Sequence, residues 1–155
     1  MTHKSDTGTA EPVVVFPGSF NPFTIGHKSI VDRCLAFGAK VVIGIGYNRD
    51  KASSDDIMGR LERIRSVFSG DSRVRVESYS GLTVDFVKQM RGNFMVRGVR
   101  SVADFEYERN LADANYDLAG IETMLMPALP QYSFISSSMV RELMANGTDT
   151  KKYLP

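Results

Sequence analysis

The sequence is poor in the features that announce most special classes of protein. It has one cysteine, Cys34, in 155 residues, so no disulfide can form within the chain. Cys34 lies among apolar neighbours in a predicted helix, as a reduced core thiol would. No apolar run approaches the roughly 20 residues needed to span a bilayer. Residues 1–12, MTHKSDTGTAEP, are polar and lack the apolar centre of a signal peptide, so a loose tail and a cytoplasmic protein are expected. The formal net charge is only +1, which argues against a nucleic-acid binder and against any global field for anions. No Walker-type phosphate loop occurs, and GIGYNR at 44–49 lacks the third glycine of a dinucleotide fingerprint. No His, Cys or carboxylate cluster has transition-metal spacing, and no paired nucleophile and base stands out.

What remains is ordinary in composition, with 43% hydrophobic and 24% charged residues, and the length suits one domain with a real core. Short apolar runs alternate with helical periodicities. Strands are expected at 13–16, 40–47, 73–78, 94–98 and 122–126, and helices at 26–37, from Ser54 onward, 83–90, 102–118 and 136–147. In the last helix Met139, Val140, Leu143 and Met144 are expected inward; the stripe of 102–118 is blurred. The alternation predicts a single α/β domain over 13–155, a Rossmann-like, doubly wound, five-stranded parallel sheet with helices on both faces. Ligands of such sheets sit beyond the carboxyl ends of the strands, where strand order reverses.

That rule selects a few loops. FPGSFNPFTIGH, at 16–27, holds two prolines, two glycines and a histidine at a strand exit. Gly18 and Gly26 would let backbone approach a ligand, Ser19 offers a hydroxyl, and His27 stands in the first helical turn, where an anion is favoured. A lone capping histidine is the bland alternative. VRGVR, at 96–100, puts Arg97 and Arg100 at a strand end. They are either phosphate forks or surface charges matched to Asp104, Glu106 and Glu108. FISSSMVR, at 134–141, sets three serines at a helix start, more than a cap requires. Cations and a histidine donor without a base suit phosphoryl-type transfer, in which an acceptor phosphate is already ionised.

GSFNPFTIGH resembles the (T/H)xGH motif of the nucleotidylyltransferase superfamily, and ISSSMVRE resembles its second, ISSS-type motif. With VRGVRSVADFEYE at 96–108 the resemblance is to the bacterial phosphopantetheine adenylyltransferases, from about Val13 to Pro155. It implies adenylyl transfer from ATP to 4′-phosphopantetheine, giving dephospho-coenzyme A and pyrophosphate, the penultimate step of coenzyme A synthesis. It also implies Mg²⁺ held mainly by the ATP phosphates, coenzyme A as a feedback ligand, and a homohexamer. Carried over by position, His27, Lys51 and Arg97 would be catalytic. Ser19, Lys51, Thr83 and Arg97 would bind phosphopantetheine. ATP would meet Ser19, Phe20, His27, Gly98, Val99, Arg100, Glu108, Tyr132, Ser133, Phe134, Ile135, Ser136, Ser137 and Ser138. The chain departs from the family at Ser19 (threonine is usual), at Asn21 (usually aspartate) and in the loop at 48–56. Alternatives are a related nucleotidylyltransferase with another acceptor, such as a glycerol-phosphate cytidylyltransferase, and a silent nucleotide or coenzyme A binder.

Overall fold

The computed structural model describes residues 10–155, so most of the expected tail lies outside the described residues. Residues 10–12 have no regular structure, and the Pro12 carbonyl accepts the Lys40 N–H at 2.9 Å. Five parallel strands follow: β1 (Val13–Gly18), β2 (Lys40–Gly46), β3 (Val74–Tyr79), β4 (Phe94–Val99) and β5 (Thr123–Pro127). Their spatial order is β3-β2-β1-β4-β5, so strand order reverses between β1 and β4. The expected Rossmann-like sheet is therefore present, and the site is to be sought beyond Gly18 and Val99.

The helices are α1 (Ile25–Ala36), α2 (Ser54–Val67), α3 (Thr83–Gln89), α4 (Val102–Ala119) and α5 (Ser137–Ala145). Alternate residues of the strands feed two apolar layers. On one face Val14, Phe16, Val41 and Ile43 pack with Ile30, Val31 and Cys34 of α1 and with Leu61 and Ile64 of α2. On the other, Val15, Val42 and Met95 pack with Val84, Phe86 and Val87 of α3. Cys34 is wholly buried, and burial pushes its thiol up to about 11, as an inert core thiol requires.

Gly44 belongs to this packing. A Cβ there would stand 2.3 Å from the Phe86 ring, which in turn stacks on Tyr79 at 4.2 Å between centroids. The glycines of the GIG run make room for aromatic rings and form no nucleotide loop.

Two helices depart from expectation. In α5 only Val140 is buried, and Met144, expected inward, is exposed. In α4 the one buried residue is Glu108, while Val102, Phe105, Tyr107, Leu111, Tyr116 and Leu118 are all exposed. The blurred stripe of α4 thus reflects a helix whose apolar side does not face the sheet.

Candidate active site

The loop after β1 is built to present His27. Thr24 caps α1: its side chain accepts the His27 N–H at 3.3 Å, and His27 Nδ1 accepts the Thr24 N–H at 2.9 Å. This is a capping box in which histidine replaces the usual Glu or Gln. The imidazole nitrogen that accepts carries no proton, so the neutral ring bears its proton on Nε2. The bland capping role and the functional one are thus the same geometry.

The ring sits in an apolar bay. Phe23 stacks on it at 5.4 Å and Phe20 meets it edge-on at 5.1 Å. Burial, then the charges of Arg97 and Arg100, hold the imidazole down at about 4 from an ordinary 6.5. At neutral pH it is an uncharged N–H donor.

Side chains from three other elements grip the loop carbonyls. Arg97 of β4 donates to Pro17, Arg60 of α2 to Ser19 at 2.8 Å, Arg141 of α5 to Asn21, and the Ser137 hydroxyl to Pro22 at 2.8 Å. Gly18 lines both cavities of the site, and its bareness serves packing as well. A Cβ there would meet the Phe20 ring at 2.9 Å, so its bareness admits a side chain of the same loop.

Arg97 makes a two-pronged pair with Glu108, Nε to Oε2 at 2.9 Å and Nη2 to Oε1 at 2.7 Å. Arg100 pairs with Asp104 at 3.1 Å. Of the three acids weighed from the sequence, Asp104 and Glu108 pair with these arginines and Glu106 does not; both pairs line the candidate site.

A cavity of about 360 Å³ opens at the β1/β4 switch. Ser19, Phe20, His27, Arg97, Gly98, Arg100, Glu108, Tyr132, Ile135 and Ser136 to Ser138 all line it. The beginnings of α1 and α5 face it, each with free N–H groups that favour anions. The three serines divide their work. Ser136 caps α5 by accepting the Met139 N–H at 3.1 Å, Ser137 braces Pro22, and the Ser138 hydroxyl lies 3.1 Å from that of Ser136.

A second cavity, about 270 Å³, is lined by Tyr79, Thr83, Leu111 and Asn115, and it shares Gly18, Ser19, Arg97 and Glu108 with the first. Thr83 and Tyr79 are hydrogen-bonded there at 2.9 Å. Four expected residues line neither cavity. Lys51 is exposed in a turn, and Val99 ends β4, its carbonyl accepting the Ala128 N–H. Ser133 bonds the Pro130 carbonyl, and Phe134 is exposed with its ring edge against Tyr153.

Sequence reasoning missed Arg60, Tyr79 and Asn115 as site residues. Arg60 alone left a signal, since it interrupts the buried stripe of Ile57, Leu61 and Ile64. Among the described residues no three His, Cys, Asp or Glu side chains converge as a metal cage. The carboxylates lining the first cavity are already engaged by arginines, a donor set that fits a cation arriving on phosphate oxygens.

The cytidylyltransferase-like family matches residues 15–143 of the chain. The phosphopantetheine adenylyltransferase of Bacteroides fragilis is 48% identical over 141 residues, covering 91% of this chain and 94% of that protein. That of Phocaeicola vulgatus is 49% identical over 141 residues, covering 91% and 93%. A bifunctional NMN adenylyltransferase/ADP-ribose pyrophosphatase from Francisella tularensis, crystallised with AMP and a manganese ion, shares the fold. Its TM-score is 0.67 at 17% identity, over 94% of this chain and 44% of that one. The chain therefore belongs to the cytidylyltransferase-like family and, within it, to the phosphopantetheine adenylyltransferases.

Proposed function

We propose that the chain transfers the adenylyl group of ATP to 4′-phosphopantetheine, releasing pyrophosphate and forming dephospho-coenzyme A. The observation that carries this reading is the pair of cavities meeting at Ser19 and Arg97. One is rimmed by two helix N-termini, as a nucleotide needs. The other is lined by Tyr79, Thr83, Leu111 and Asn115, as a slender, part-apolar acceptor needs.

The acceptor's phosphate oxygen attacks the α-phosphorus of ATP. A new P–O bond forms, the bond to the β-phosphate oxygen breaks, and pyrophosphate leaves with the electron pair. The attacking oxygen is already ionised, so no base is needed. His27 Nε2–H donates to an α-phosphoryl oxygen, where negative charge grows, from a position fixed by the α1 cap. Arg97 and Arg100 bring charge to the junction of the substrates, and the first turn of α5 takes the phosphate chain. Lys51 is assigned to the acceptor phosphate, and its loop must swing inward to deliver it. Glu108 serves ATP indirectly, by holding Arg97. Mg²⁺ arriving on the ATP phosphates would supply further charge neutralisation, and the hydroxyls lining the cavity could contribute to holding it.

The exposed apolar side of α4 supports packing against another copy of the chain; a homohexamer and coenzyme A as feedback ligand are part of the reading. No described helix is long and apolar enough to cross a membrane; cytoplasmic residence is part of the reading. Pyrophosphate release from Mg²⁺–ATP tests it. Release that depends on 4′-phosphopantetheine is expected. None with that acceptor, from folded protein, would overturn it in favour of another acceptor or a silent binder.

A further inference from the structure

Arg60 stands where the apolar stripe of α2 would take a hydrocarbon, and it is only 7% exposed. Burying a guanidinium is costly unless its donors are placed; here Nε has no partner among the described residues and the two Nη groups are placed. Nη1 donates to the Ser19 carbonyl at 2.8 Å, and Nη2 donates to Asp56 Oδ2 at 2.6 Å. Asp56 lies in the first turn of α2. The arginine thus bridges a helix that does not reach the first cavity to the loop that forms the cavity's wall.

The grip has a direction. The peptide joining Ser19 to Phe20 is trans, so its carbonyl and its N–H point opposite ways. With the carbonyl drawn toward α2, the Phe20 N–H points away from α2. Ser19 and Phe20 both line the first cavity. Phe20 is held at φ +47°, in the left-handed region that non-glycine residues avoid. It is 2% exposed, yet its N–H donates to no group among the described residues. An N–H that no protein group satisfies, in a residue that lines the cavity, is left for solvent or for a ligand oxygen.

We propose that Arg60 is a positioning residue, which by gripping the Ser19 carbonyl from α2 aims the Phe20 N–H into the cavity as a fixed donor to a phosphoryl oxygen of the bound nucleotide. This rests on the proposed function only in taking the ligand to be a nucleoside triphosphate. Asp56 holds the second arm of the guanidinium and so sets its angle.

The test uses Arg60→Met, Arg60→Lys and Asp56→Asn in the full chain. It reads melting temperature, kcat and KM for ATP, and the ¹⁵N–¹H resonance of Phe20 during titration with Mg²⁺–ATP. Arg60→Met is expected to lower kcat about tenfold to a hundredfold, with a smaller change in KM, and to abolish the ATP-induced shift of Phe20. Arg60→Lys, which reaches one carbonyl, should restore part of both. Wild-type kcat in folded Arg60→Met would overturn the proposal. So would activity lost only in step with melting while the Phe20 shift persists. Should Arg60→Met fail to fold, Arg60→Lys and Asp56→Asn decide. Reduced kcat with a weakened shift sustains the proposal, and unchanged values overturn it. A Phe20 shift with ATP in a wild-type chain that transfers nothing to phosphopantetheine would sink the adenylyl reading and leave Arg60's role standing.

Discussion

Nδ1 of His27 accepts the backbone N–H of Thr24 at 2.9 Å, and that single bond decides which ring nitrogen can serve a substrate. The proton is fixed on Nε2, and the ring is aimed by the same cap that starts the helix.

His27→Ala should therefore lower kcat by about a hundredfold to a thousandfold, the usual loss for one charge-stabilising donor. KM for ATP should change far less, since the remaining cradle is untouched. Steady-state pyrophosphate release on the variant checks this, and near-normal turnover would sink the mechanism.

The same residue sets a pH dependence. Folded His27 titrates near 4 and unfolded histidine near 6.5, so between these values the unfolded chain binds more protons. Stability should fall as pH drops from 6.5 to about 4, and this contribution is flat below. Its ceiling is on the order of 3 kcal/mol, lessened by water in the open cavity. Wild type should lose stability relative to His27→Gln as pH falls over that range, which melting curves of the two check. Bound ATP, being anionic, should raise the imidazole value, which ¹⁵N shifts of the ring can follow.

Glu108 is buried and takes both prongs of Arg97. Glu108→Gln should cost about 2 kcal/mol of stability, because it leaves a partly buried guanidinium without its counter-charge. KM for phosphopantetheine should rise as Arg97 loses its fixed pose. Thermal melts with and without ATP separate the effects: an anion in the cavity should recover part of the lost stability.

Gly44→Ala would place a methyl 2.3 Å from the Phe86 ring, which cannot move without disturbing Tyr79. A loss of about 1–3 kcal/mol is expected from such overpacking. Since Tyr79 lines the cavity proposed for the acceptor, KM for phosphopantetheine should rise more than KM for ATP. Equal changes in both would show that the rings merely fill space.

Much of this was legible in the sequence. The strands read clearly because they are covered on both faces, and Val13–Phe16 or Val41–Ile43 cannot be mistaken for an amphipathic surface. His27, the Arg97–Arg100 pair and the three serines at the start of α5 stand out in the sequence as candidates because each is local, a few residues at an element's edge. What escaped depends on contacts distant in the chain. Arg60 reaches back to Ser19, and Asn115 comes in from the middle of α4. The burial of Glu108 follows only once β4 and α4 are side by side. Met144 was expected inward because α5 has helical periodicity, but only Val140 finds a buried place.

The loop that carries His27 has a further consequence for how the protein is made. Its carbonyls at Asn21 and Pro22 are held by Arg141 and Ser137 of the last α-helix, contacts 120 and 115 residues away along the chain. Contacts of such long span form late. A nascent chain can pair β1 with β2 early, but the phosphate cradle stays unbraced until α5 has been synthesised. The candidate-site loop that leaves the ribosome first is thus the last to be completed, and nucleotide binding should report the docking of α5.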